Sequence, residues 1–124
     1  MRYSVSVDVP NLEEGLRFYC NAFELTEIAR PIATYAVLKC GEARIGIMEK
    51  PAGTKPAMGS HDIRRYERHW TPVHIDFHVD DFKVALARAL TAGAKCEQKF
   101  DMPGRPPMAF CTDPFGNGFC VVGP

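Results

Sequence analysis

Residues 73–81 alternate between ionisable and apolar side chains. The ionisable positions are His74, Asp76 and His78, and the apolar positions between and after them are Ile75, Phe77 and Val79. This period of two predicts a β-strand with one buried face and one polar face. Two imidazoles and a carboxylate are unusual on a strand face that meets only solvent, so we expect this face to line a cleft.

A second alternating stretch occupies residues 3–9. Its apolar face is Val5, Val7 and Val9, and its polar face is Ser4, Ser6 and Asp8. Each alternating stretch is followed by apolar residues at helical spacing, which predicts an amphipathic helix after each strand. The two apolar stripes are Leu12, Leu16, Tyr19, Cys20 and Phe23, and then Phe82, Ala85, Leu86, Ala89 and Leu90. Asn11 and either Asp80 or Asp81 are the predicted N-caps, and Gly93 is the predicted C-cap.

The remainder of each half predicts strands joined by turns. Residues 35–39 and 44–48 form a predicted hairpin around Gly41. Residues 96–100, 108–112 and 118–122 are also predicted strands, and a turn at residues 113–117 joins the last two. Between the halves, residues 50–71 begin with a Pro- and Gly-rich segment that predicts a crossover loop. Its end, residues 61–70, is compatible with either a short helix or irregular structure.

The chain resembles itself at an offset of 70 residues. The aligned pairs are Ser4 with His74, Ser6 with Asp76, Asp8 with His78, Asn11 with Asp81, and Leu16 with Leu86. Each copy contains a strand, a helix and further strands, so the predicted fold class is α+β with two βαβββ modules. We expect one domain spanning residues 1–124, with pseudo-repeats at about 1–50 and 72–124 joined by the crossover at 50–71.

Composition narrows the range of partners. The 124 residues are 46% hydrophobic, yet no apolar run is long enough for a transmembrane helix or a secretory signal, so we expect a cytoplasmic protein. Fifteen Lys and Arg balance 15 Asp and Glu, which argues against nucleic acid and membrane partners and favours a small-molecule ligand. The five cysteines lack a Cys-x-x-Cys pair, which predicts reduced thiols.

Three segments in this order resemble the glyoxalase / bleomycin-resistance / extradiol-dioxygenase family, also called the vicinal oxygen chelate superfamily. They are residues 7–19, residues 74–81 and the turn at residues 113–117. The resemblance implies two βαβββ modules that form a curved mixed sheet around a cleft, with helices on the outer face, usually in a homodimer. It also implies that the polar faces of the strands at residues 3–9 and 73–81 line that cleft.

Metal-dependent members of that superfamily hold their metal with His or Glu side chains, one from each of four inner strands. The resemblance places these positions at Ser4, Gly46, His74 and Cys120. Only His74 is a usual ligand there, since Gly46 has no side chain, Ser4 is a poor ligand and Cys120 is a soft one. We therefore expect no metal or other cofactor. The alternative is a divalent metal held by a different set, His74 and His78 with Asp76 or Asp8.

The candidate ligand-binding residues combine the cleft-facing side chains with one loop residue. They are Ser4, Ser6, Asp8, His74, Asp76, His78, Arg105 and Cys120. His74 and Asp76 are also the best candidates for a catalytic role, in which the carboxylate would orient the imidazole. The simpler interpretation is a hydrated polar face that performs no chemistry.

The three arginines of the crossover also allow two interpretations. Arg64, Arg65 and Arg68 most simply form a charged surface. The alternative is an anion-binding rim that they form together with His69 and Trp70.

Two function classes follow, with a third as a weaker alternative. The first is a glyoxalase- or bleomycin-resistance-like protein that captures a small molecule in the cleft between its modules without the metal site of the superfamily. The second is an enzyme, a metal-assisted lyase or isomerase of the glyoxalase type that uses His74. The third is a module that scaffolds another protein through its dimer surface.

Overall fold

The computed structural model describes all residues from Met1 to Pro124, in which one order of elements occurs twice. The first series is β1 (Val5–Val9), α1 (Leu12–Phe23), β2 (Thr26–Ile32), β3 (Tyr35–Cys40) and β4 (Ala43–Glu49). The second is β5 (Ile75–His78), α2 (Phe82–Ala92), β6 (Lys95–Phe100), β7 (Met108–Thr112) and β8 (Gly118–Val122). No helix is long and apolar enough to cross a membrane.

Each series builds one four-stranded mixed sheet. The strand order is β1-β4-β3-β2 in the first sheet and β5-β8-β7-β6 in the second. In both, the first strand of the series pairs in parallel with the last, and the other neighbours are antiparallel. The predicted α+β class with two βαβββ modules is confirmed.

The chain divides into two compact units. Unit 1 comprises Met1–Cys20 and Glu24–Tyr66, and unit 2 comprises Asn21–Phe23 and Glu67–Pro124. In unit 1 the core includes Val9, Tyr19, Leu38 and Ile47. In unit 2 an aromatic cluster contributes to the core, because Phe77 stacks on Phe23 and meets the edge of Phe119.

Both helices begin at the predicted caps. The side chain of Asn11 accepts the Glu14 N–H at 3.0 Å, and that of Asp81 accepts the Val84 N–H at 3.0 Å. These bonds satisfy amide groups that have no partner within the helix. Gly93 ends α2 at φ 120°, and its N–H reaches the carbonyls of the last turn. Glu49, the last residue of β4, adds a further contact, because its carboxylate accepts the Leu12 N–H at 3.0 Å.

The structure corrects several boundaries and faces. β2 was not predicted from its own residues, because all seven are exposed and show no alternation. β1 and β5 are shorter than the alternating stretches, so Ser4 and His74 precede the strands. Leu90 is exposed although it was assigned to the apolar stripe of its helix, whereas Phe18 and Ala22 of α1 are buried without having been assigned.

A glycine allows α1 to approach the first sheet. A Cβ at Gly15 would lie 2.8 and 2.9 Å from the two methyl carbons of Val9 and 3.0 Å from a methyl of Ile47. These separations are shorter than a normal carbon–carbon contact of about 3.5–4.0 Å. The absence of a side chain therefore sets the distance between α1 and strands β1 and β4.

We expect Gly15→Ala to lower the free energy of unfolding by about 1–2 kcal/mol. Three contacts of 3.0 Å or less put the overpacking cost at about 2–3 kcal/mol, the upper part of its usual range, and the roughly 1 kcal/mol that alanine gains over glycine in a helix offsets part of it. Urea unfolding followed by circular dichroism measures this difference. Arg17→Ala, an exposed position on the same helix, is the control and should stay within about 0.5 kcal/mol of wild type. A Gly15→Ala protein as stable as wild type would contradict the close-approach explanation.

Candidate functional site

Three potential donor groups converge on the second sheet. Asp76 of β5 lies opposite Cys120 of β8 in the parallel register, and His74 comes immediately before β5. His74 Nε2 lies 3.1 Å from Asp76 Oδ1, and the three ligand atoms of His74, Asp76 and Cys120 all lie within 4.8 Å of one another. Side chains two residues apart along a strand are separated by about 6–7 Å. The imidazole of His74, just ahead of the strand, spans this separation to reach the Asp76 carboxylate.

Burial and Asp76 keep Cys120 protonated. The residue is only 3% exposed, and burial is the largest cause that raises the pKa of its thiol to about 12. A hydrogen bond with Asp76 and the negative charge of that carboxylate are the other two causes of the raised pKa. At neutral pH the thiol is therefore an uncharged group and a poor nucleophile.

His74 and Cys120 also border a cavity of about 400 Å³, and all the residues that line it belong to unit 2. Trp70, Phe110 and Phe119 form its aromatic wall. Arg68, Thr71, His74, Glu97 and Gln98 contribute polar groups, and Cys120 lines it as well. Trp70 is 79% exposed and Phe110 is 38% exposed, so both rings present apolar surface that a ligand could cover.

A hydrogen-bonded turn packs against the segment that forms one wall of this cavity. Between β7 and β8, the buried Asp113 carboxylate accepts the backbone N–H groups of Phe115 and Asn117 and the side-chain amide of Asn117, at 2.8–2.9 Å. Gly116 in this turn has φ 90°, and a Cβ there would lie 2.3 Å from the carbonyl oxygen of Glu67. The segment leading to Arg68 and Trp70 therefore packs directly on the turn.

Arg68 packs on the first residue of β8. Its two terminal guanidinium nitrogens lie 3.2 Å from the position that a Cβ of Gly118 would occupy. The guanidinium donates to the carboxylate of Glu97 at 2.5 Å and to the carbonyl oxygen of His69. Two glycines thus make room for the segment that forms one wall of the cavity.

The first module has a different arrangement at the corresponding strand positions. Ser6 lies opposite Gly46 in the β1–β4 register, as Asp76 lies opposite Cys120. A Cβ at Gly46 would lie 2.7 Å from the ring of Tyr35 and 3.0 Å from the hydroxyl of Ser6. The Tyr35 ring thus occupies the space that a ligand side chain at position 46 would need.

The other predicted site residues have separate environments. Asp8 pairs with Arg64 at 2.8 Å, and Ser4 is exposed ahead of β1. His78 is exposed at the end of β5 and does not join the donor group of His74, Asp76 and Cys120. Arg105 lies in an exposed turn, where its N–H donates to the Met102 carbonyl at 3.2 Å.

All three crossover arginines contact carboxylates. Arg64 pairs with Asp8, Arg65 with Asp62 and Arg68 with Glu97. Arg65 is exposed, as a charged surface requires, whereas the Arg64 side chain is only 15% exposed. Arg68 and Trp70 nevertheless line the cavity, as the alternative interpretation placed them at a binding rim.

Sequence reasoning missed Glu97, Gln98 and Phe110. Cys96 lies opposite Cys111 and Gln98 lies opposite Phe110, so Glu97 is an extra residue in β6 at a register shift. A bulge of this kind changes which residues share a face. The face of β6 could not be derived from alternation, and no local signal marked these residues as a cavity wall.

Comparison with known proteins gives a family match and structural neighbours. The model of the glyoxalase-like domain matches residues 4–122. No curated protein sequence matches significantly. Among solved structures, a lactoylglutathione lyase from Agrobacterium tumefaciens has 16% identity and a TM-score of 0.69, with 99% of this chain and 92% of that chain covered.

Two further similar structures are forms of the fosfomycin resistance protein FosX from Listeria monocytogenes. One has 17% identity and a TM-score of 0.75, covering 100% of this chain and 93% of that chain. A mutant in complex with Mn(II) and 1S,2S-dihydroxypropylphosphonic acid has 18% identity and a TM-score of 0.72, covering 96% and 86%. At these identities the structural likeness shows the fold alone.

We expect Asp76→Asn to lower the pKa of Cys120, because the substitution removes a negative charge that disfavours the thiolate. The thiolate fraction at mildly alkaline pH then rises, and alkylation of Cys120 by iodoacetamide becomes several-fold faster. Site-resolved mass spectrometry over a pH series measures the rate. Cys40 of unit 1 is an internal control, since burial alone raises the pKa of its thiol and Asp76 is not among the causes. Equal Cys120 rates in both proteins would contradict the assigned role of Asp76.

Proposed function

Because the chain belongs to the glyoxalase-like domain family, we propose that it binds a small organic molecule in the aromatic-walled cavity of its second module. Family membership agrees with the resemblance predicted from residues 7–19, 74–81 and 113–117. The observation that carries the proposal is the cavity itself. Its volume of about 400 Å³ falls in the range of about 300–1,000 Å³ that is usual for ligand pockets.

The lining supports capture of a ligand without chemistry. Trp70 and Phe110 offer aromatic surface for apolar contact. Thr71, Gln98 and His74 add hydrogen-bonding groups that can orient a ligand. Cys120 stays protonated and so behaves as a small apolar group. Stoichiometric binding needs no further catalytic residue.

The donor group of His74, Asp76 and Cys120 favours a second candidate function, a metal-assisted lyase or isomerase. Imidazole, carboxylate and thiolate are all ligand types of zinc, and catalytic zinc sites commonly have three protein ligands. The convergence of the three ligand atoms within 4.8 Å fits such a set. A metal held there would act as a Lewis acid toward a substrate oxygen. Cys120 must lose its proton to serve as a ligand, so binding would release a proton and strengthen as pH rises.

Location, oligomeric state and partner classes are predicted from the sequence. A cytoplasmic location, a homodimer and the absence of nucleic acid and membrane partners stay predictions. The balance of 15 basic and 15 acidic residues supports the last two.

The binding function predicts a change in the fluorescence of Trp70, the one tryptophan of the chain. A ligand that covers this exposed ring should shift its emission to shorter wavelength and raise the melting temperature by mass action. Aromatic antibiotics and glutathione adducts are the first compounds to test. Phe110→Ala should weaken binding about three- to tenfold, because an aromatic contact contributes about 0.5–1.5 kcal/mol beyond its buried area.

The matched control is Tyr3→Ala, which removes an exposed aromatic ring from unit 1. Its affinity for the same ligand should equal that of wild type. If Phe110→Ala and Tyr3→Ala bind equally well, the cavity is not the binding site.

The metal candidate predicts stoichiometric divalent metal in protein purified without added metal, and its loss in His74→Ala. Cobalt titration should give a thiolate-to-cobalt absorption band that disappears in Cys120→Ser, because that band requires a bound sulfur. Cys40→Ser is the control, since Cys40 is a half-buried thiol of unit 1 outside the donor group. Absence of both metal and band would contradict the metal-assisted function, whereas their presence would contradict a metal-free site.

A further inference from the structure

Arg68 and Glu97 form an ion pair in the wall of the second-module cavity. Arg68 Nε lies 2.5 Å from Glu97 Oε1, and both residues line the cavity. The guanidinium also donates to the carbonyl oxygen of His69 and lies against Gly118. These contacts hold the positive charge in the wall and leave it facing a carboxylate.

The one guanidinium in the cavity wall faces a carboxylate. The positive charge of Arg68 is opposed by Glu97, and no other arginine or lysine lines the cavity. The cavity therefore offers no guanidinium without an adjacent carboxylate, the feature that typically binds a carboxylate or phosphate ligand.

The apolar part of the wall is aromatic and accessible. Trp70 is 79% exposed, and the ring of Phe110 is supported by Phe100 at a centroid distance of 5.3 Å and an interplanar angle of 71°. Aromatic rings gain from offset-stacked or edge-to-face contact with another ring. A planar aromatic ligand therefore gains from this wall whether or not it carries a charge.

We propose that the cavity selects uncharged aromatic ligands, and that Glu97 determines this specificity by neutralising Arg68. The inference rests on the proposed binding function and names its ligand class. An aromatic anion that approaches Arg68 must either displace the Glu97 carboxylate from a charge-assisted hydrogen bond or lie next to it and be repelled. An uncharged ligand with the same ring system meets neither cost.

Naphthalene carboxamide and naphthalene carboxylate test this specificity, because they share a ring system and differ in charge. Isothermal titration calorimetry at low ionic strength gives the dissociation constant of each. Wild type should bind the amide more tightly than the carboxylate. In Glu97→Gln the affinity for the carboxylate relative to the amide should rise about three- to tenfold. This range corresponds to the interaction energy of a partly exposed ion pair.

Three further variants test whether the change in relative affinity arises from the Arg68–Glu97 pair. Glu97→Asp keeps the charge and should keep the wild-type ratio. Glu42→Gln removes a carboxylate from the exposed β3–β4 turn of unit 1, outside the cavity, and should also keep it. Adding Arg68→Gln to Glu97→Gln should abolish the shift, because the gain depends on the uncovered guanidinium.

The outcomes separate the inference from the function on which it rests. A wild-type protein that binds the carboxylate as tightly as the amide, or a Glu97→Gln protein with an unchanged ratio, would overturn the charge selection and leave the binding function standing. If neither compound binds any variant, selection of aromatic ligands is wrong. Binding of a non-aromatic compound that Phe110→Ala weakens would then still support the cavity as a binding site.

Discussion

The buried carboxylate of Asp113 is the interaction on which the second-module site depends. It is 3% exposed and accepts three hydrogen bonds from within its own turn, which offsets the cost of removing a carboxylate from water. The turn thereby presents Gly116 to the carbonyl of Glu67, and the cavity wall from Arg68 to Trp70 follows directly. It also starts β8 at Gly118, which brings Cys120 opposite Asp76. One desolvated charge thus organises both the wall and the donor group.

The two modules have the same backbone arrangement but carry different side chains at equivalent positions. Strand order, parallel pairing and N-terminal capping of the helices are the same in both. These features require only alternation, a cap and a turn, and many side chains satisfy them. The polar strand positions are under no such constraint, so Ser6 opposite Gly46 and Asp76 opposite Cys120 occur on equivalent frames. The residues that determine the fold therefore differ from those that form the site, as in other widely used folds.

The sequence predicted the fold far better than the site. Alternating residues located β1 and β5, helical spacing located both helices, and turn residues separated the other predicted strands. Asn11 and Asp81 marked the helix starts chemically. β2 gave no such signal, since every residue in it is exposed. At the site, the pattern placed His74 and Asp76 on one face, and the structure brings them to 3.1 Å. The pairing of Arg68 with Glu97 joins residues 29 positions apart and depends on a bulge in β6, which no local pattern encodes.

The contact between Tyr35 and Gly46 restricts how the first module can change over evolutionary time. A side chain at position 46 would collide with the Tyr35 ring, so a mutation that introduces a histidine or glutamate there is disfavoured while the tyrosine remains. Replacing Tyr35 first would open a gap above the glycine and sacrifice packing before any ligand is gained. A side chain at position 46 therefore requires the half-buried Tyr35 ring to move or to be replaced. A fourth metal ligand there would be gained only together with a rearrangement of Tyr35.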